Sequence, residues 1–166
     1  ERPLRLPAPT DLLPHRAPMR WVEALLDCTD TTATATTRFT NEHFAVTNGQ
    51  VIETALVECM AQTAALLVVQ TLGAAAEGKL VYFMSIDDAR FRKPVVPGDQ
   101  LRIKVVKERR RFNVWKMAAT AMVDGHLVAE AHIAAMIMDE AGQFYWPALA
   151  DVKILTAAFA KSEIAR

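Results

Sequence analysis

An excess of charge, a set of cysteine pairs and any cofactor signature are what this 166-residue sequence lacks. Nineteen basic and nineteen acidic side chains cancel, so no overall field draws the chain to nucleic acid or to a membrane surface, and neither is expected as a partner. The two cysteines, Cys28 and Cys59, are too few for a disulfide framework. Cys59 falls in an apolar run, where a thiol behaves as a small hydrophobe, and a reducing, cytoplasmic setting fits. There is no glycine-rich phosphate loop, no G-x-S-x-G elbow, no H-E-x-x-H and no paired C-x-x-C. Nucleotide use, serine hydrolysis of that type and zinc chemistry therefore lose their usual grounds. The four histidines, His15, His43, His126 and His132, show no ligand-like spacing with each other or with the cysteines, so no metal is expected. No basic, apolar and small-residue leader pattern stands near the beginning, and secretion gains no support there. No internal repeat or low-complexity segment is evident.

What is present is apolar content of 52%, ample for one core, and the expectation is a single domain over residues 1–166. Residues 1–20 hold five prolines, which favours an extended or turning arm along the surface. Two runs between Trp21 and Phe39 read as a hairpin over "TDTT". The turn-prone Thr47-Asn48-Gly49 then introduces a helix over roughly 51–72, ended near Gly73. That run approaches membrane-spanning length, but Glu53, Glu58, Gln62 and Gln70 interrupt it, so it reads as a helix inside a protein core. At least four strands follow. In "QLRIKVVKERR", Leu101, Ile103 and Val105 alternate with Arg102 and Lys104, and Asp124-Gly125 signals a two-residue hairpin turn. A helix apolar on nearly every face needs cover on most sides, which one curved antiparallel sheet wrapped around it supplies, an α+β arrangement. Residues 139–166 form a C-terminal extension.

Within that helix Glu58 and Gln62 stand four residues apart and so share a face. A carboxyl in an apolar slot has a raised pKa suited to general acid work near neutral pH, and a histidine such as His43, fifteen residues upstream, is a complementary base. The structural alternative is that Glu58 caps a loop or pairs with an arginine. A second local feature is basic: between Arg90 and Arg111 there are nine Lys or Arg and only two acids, Asp99 and Glu108.

The segments "YFMSIDDARFRKPVVPGDQLRIKV", "VWKMAATAMVDGHLVAEAHIAAMI", "LLPHRAPMRWVEALLD" and "ECMAQTAA" resemble the beta-hydroxyacyl-acyl carrier protein dehydratases of the hotdog fold, over about residues 11–138. The resemblance implies a sheet wrapped around one long helix, and a homodimer or higher oligomer, with a heterodimer also allowed. In that family a glutamate stands in an E-A-M-A-Q pattern, matched here by Glu58 and Gln62. The family's histidine stands in G-H-F-P-G before a P-V-M-P-G turn; "EHFAVTNGQVIE" matches only at His43-Phe44, with a spacing to Glu58 one residue longer. An alignment without that extra residue puts Phe44 in the histidine's place. The implied reaction converts a 3-hydroxyacyl thioester on acyl carrier protein, or a coenzyme A analogue, to the trans-2-enoyl thioester, without a cofactor. His43 of one subunit would take the alpha proton and Glu58 of the other would protonate the leaving hydroxyl. Gln62 and a backbone N–H near Asn48 and Gly49, at the helix start, would hold the substrate, with the acyl chain in an apolar tunnel beside the helix. Arg109, Arg110 and Arg111 would dock the acidic carrier. Two other readings stay open: an acyl thioesterase of the same fold, and a non-catalytic acyl-binding or heterodimer-partner subunit.

Overall fold

The computed structural model describes residues 6–139. A one-turn helix α1 (Pro9–Leu12) precedes the hairpin of β1 (Ala24–Cys28) and β2 (Thr32–Arg38). A miniature hairpin of β3 (Val46–Thr47) and β4 (Gln50–Val51) leads into the long helix α2 (Glu53–Leu72). Strands β5 (Lys79–Phe91), β6 (Gln100–Arg111), β7 (Val114–Val123) and β8 (His126–Asp139) follow. The six long strands form one antiparallel sheet in the order β1-β2-β6-β7-β8-β5. This is the sheet-around-helix arrangement expected from the apolar helix.

Period-two patterning decides which face of each strand meets α2. Leu101, Ile103 and Val105 are fully buried while Arg102 and Lys104 are exposed, and Trp115, Met117, Ala119 and Ala121 repeat the pattern on β7. The β7–β8 turn at Asp124 and Gly125 has both residues at positive φ, 49° and 77°, the conformation a two-residue hairpin needs. Between β5 and β6 the chain turns at Val96-Pro97-Gly98-Asp99, with Gly98 at φ 93° and Asp99 N–H bonded to the Val96 carbonyl at 3.1 Å. Helix α2 ends at Gly73, whose φ of 54° suits a residue without Cβ, and whose N–H donates to the Val69 carbonyl.

From Ala55 to Val68 every residue except Glu58 is buried. The stretch Glu53–Ala76 is long and apolar enough to cross a membrane by length and composition, yet 72% of its window is buried inside the fold, as the core helix of a sheet-wrapped domain must be.

Two local expectations are corrected. The proline-rich arm is not wholly irregular, because α1 forms within it and Leu13 is buried against the core. The Thr47-Asn48-Gly49 turn does not begin the helix. Asn48 and Gly49, at φ 52° and 73°, close the β3–β4 hairpin, and α2 starts only after Gln50, Val51 and Ile52. The proposed C-terminal extension lies outside the described residues except for Asp139.

Candidate active site

The one interruption in the buried stretch of α2 from Ala55 to Val68 is Glu58, and it is held in place by Gln62. Gln62 is fully buried. Its Oε1 accepts the backbone N–H groups of Trp21 at 2.9 Å and Val22 at 3.2 Å, and its Nε2 donates to the Met19 carbonyl at 2.7 Å and to Glu58 Oε1 at 2.9 Å. An amide offers two donors and two acceptor lone pairs, so every position is taken within the chain. Gln62 therefore has nothing left to offer a substrate directly. It ties the segment from Met19 to Val22 across the helix and fixes one oxygen of Glu58.

Glu58 lies one turn before Gln62, with its side chain 34% exposed. Burial raises its pKa above the ordinary carboxylate value, while the Gln62 hydrogen bond and the nearby His15 pull it partly back. Burial, with the neighbouring Glu58 carboxylate adding to it, pushes the adjacent Cys59 thiol far up, which keeps that cysteine protonated.

The histidine brought to Glu58 within the chain is His15. Its Nε2 stands 3.6 Å from Glu58 Oε1, its side chain is 30% exposed, and its Nδ1 is buried without a hydrogen-bond partner among the described residues. Sequence reasoning meets His15 only within "LLPHRAPMRWVEALLD" and among four histidines without ligand-like spacing. Nothing in a spacing of 43 residues announces the contact, which depends on the path that Gln62 imposes on the arm.

His43 lies elsewhere in the same neighbourhood. Its ring stacks on Phe44 at 4.7 Å and meets Phe39 and Trp21 edge-on at 4.8 and 5.5 Å. Its Nδ1 accepts the Ala45 N–H at 3.0 Å, which places the proton of the neutral ring on Nε2. Trp21 joins the two halves, since its ring touches His43 and its backbone N–H is held by Gln62.

Asn48 and Gly49 sit exposed at the β3–β4 tip. The helix start, where free N–H donors gather, belongs instead to the residues after Ile52. Of the expected docking arginines, Arg109 and Arg111 are exposed, whereas Arg110 also lies 4.8 Å over the ring of the fully buried Trp115, beside Lys107 at 5.3 Å. Two depressions of about 330 and 310 Å³ mark the surface, one on the outer face of the sheet near Asp88 and His132, the other beside the helix start near Glu53 and Lys93. Neither is lined by Glu58.

Residues 13–132, nearly the whole described fold, match the FabA-like domain family. The chain belongs to the FabA-like family. Within it, the chain is similar to the 3-hydroxyacyl-[acyl-carrier-protein] dehydratase FabZ of Rhodospirillum rubrum, 52% identical over 141 residues that cover 80% of this chain and 87% of that one. An 85-residue stretch is 69% identical to the FabZ of Paramagnetospirillum magneticum, covering 51% of this chain and 53% of the relative. Among solved structures, the dehydratase heterocomplex ApeI:P from Xenorhabdus doucetiae aligns over 82% of this chain and 94% of that one, with a TM-score of 0.74 at 15% identity. That likeness establishes the hotdog fold.

Proposed function

We propose that this FabA-like protein dehydrates a 3-hydroxyacyl thioester carried on acyl carrier protein, giving the trans-2-enoyl thioester and water, in fatty-acid-like or polyketide-type synthesis. The observation that carries the reading is Glu58, the single interruption of the buried stretch of α2, with a pKa raised by burial and one oxygen fixed by Gln62. Elimination needs an acid at the β-hydroxyl, and a carboxyl that holds its proton more tightly than a free one suits that role. The relationship to FabZ supplies the substrate class.

His43 of a second copy is assigned the complementary role of base at the α-carbon. With Nδ1 accepting from Ala45, the neutral ring carries its proton on Nε2, so His43 takes the α-proton only after that bond is exchanged. Arg109 and Arg111 are the arginines assigned to the carrier, because both are exposed and Arg110 also covers Trp115. A dimer formed by two copies, and a cytoplasmic location for a chain whose Cys28 and Cys59 are both free, complete the proposal.

The test is Glu58→Gln, which keeps the shape and the Gln62 contact but has no acid proton. Turnover should fall at least ~100-fold, the usual scale for a positioned acid, with the circular dichroism spectrum unchanged. Near-full activity would remove Glu58 from the mechanism.

A further inference from the structure

An acid that protonates a leaving hydroxyl ends each turnover as a carboxylate and must be recharged. Glu58 is partly enclosed, so the route by which a proton returns is a structural question. Around it stand Gln62, which carries no exchangeable charge, and His15, whose Nε2 is 3.6 Å from the carboxylate oxygen. The next residue, Cys59, is a buried thiol held in its protonated form. Arg16, one residue beyond His15, turns back to donate to the carbonyls of Leu13 and His15 at 2.7 and 2.8 Å, so its charge rims the arm.

We infer that His15 is the proton-exchange partner of Glu58: it orients the carboxyl and hands it a proton from solvent between turnovers. The inference rests on the dehydratase reading above and adds a residue of the same subunit to it. His15 suits the role by position, since its ring is partly exposed and its Nε2 faces the same carboxylate oxygen that Gln62 fixes. Its Nδ1 is sealed from solvent, so Nε2 is the nitrogen that exchanges. In each cycle Nε2 gains a proton from water, making the imidazolium, and passes it to Glu58 Oε1, leaving the neutral ring and the carboxylic acid. The α-proton taken by the base leaves to solvent, so protons balance over the turnover. The 3.6 Å gap is closed by a small ring rotation or by one bridging water. His15 is thus a positioning residue for Glu58, distinct from His43, whose Nδ1 is committed to the Ala45 N–H.

The decisive comparison measures kcat and KM for a 3-hydroxyacyl thioester across pH for wild type, His15→Ala, His15→Gln and Glu58→Gln. For His15→Ala, kcat should fall about 10- to 100-fold with KM changed less than about two-fold, and the optimum should move to lower pH, where solvent recharges the carboxyl directly. Added imidazole should restore kcat in a concentration-dependent way. His15→Gln should stay impaired, because an amide holds a hydrogen bond but does not exchange a proton. An unchanged kcat in His15→Ala overturns the inference, as does full activity in His15→Gln, which would mean that shape alone matters. A loss that imidazole does not relieve also overturns it. If Glu58→Gln remains active, the dehydratase assignment of Glu58 falls instead, so the two failures are told apart.

Discussion

Glu58 and Gln62 divide between them what a single buried polar residue rarely does, one held entirely by the chain and the other left partly free. The amide satisfies two backbone N–H groups and one carbonyl of the arm, which would otherwise be costly to bury. Its last donor keeps the carboxylate in place. The pKa of the carboxylate is raised chiefly by burial, against the pull of Gln62 and His15. A group whose folded pKa is raised binds its proton more tightly in the folded state, so the stability it carries is complete below the unfolded value of about 4.3 and is lost as pH climbs through the folded value. Glu58→Gln removes that titration. Its midpoint of denaturant unfolding should match the wild type near pH ~4 and exceed it near pH ~8. A variant weaker than wild type at the higher pH would show that Gln62 and His15 stabilise the ionised form more than burial penalises it.

At the scale of elements, the β6–β7 hairpin shows how one basic run serves two purposes. Lys107 and Arg110 lie over the Trp115 ring, sealing the end of the core, while Arg109 and Arg111 are exposed near Phe112, itself 84% exposed. Reversing Arg109 and Arg111 to Glu should raise KM for a carrier-bound substrate about 10-fold while sparing a small coenzyme A analogue, because charge acts on docking rather than on chemistry. Equal effects on both substrates would remove the hairpin from carrier recognition.

Legibility in the sequence follows the range of the interaction. Asp124-Gly125 and the alternation of Leu101, Ile103 and Val105 are local patterns, and the structure realises them as read. The same holds for the long helix, whose apolar faces require a surrounding sheet. Asn48-Gly49 carries the same two-residue hairpin signal as Asp124-Gly125, and reading it only as the turn into the helix overlooked the pairing of Val46 with Val51 across it. His15 could not be placed at all, since its approach to Glu58 follows from hydrogen bonds between Gln62 and residues about forty positions earlier.

Across the whole molecule, a six-stranded sheet encloses a helix and the arm from Leu13 to Val22 lies across that helix at the one point where its burial is broken. The order of the parts gives the chemistry its setting: the sheet excludes water, the arm supplies Gln62's partners and His15, and the loop before the helix carries His43 into the aromatic cluster with Trp21. Family membership and this arrangement together make dehydration the central claim. The most direct measurement is incubation of the full chain with a 3-hydroxyacyl thioester on acyl carrier protein, recording enoyl absorbance and free thiol in the same sample. The account predicts a rise in enoyl absorbance with no release of thiol. Thiol release without enoyl formation would make the protein a thioesterase, and the absence of both signals would make it a binding subunit; either result contradicts the account.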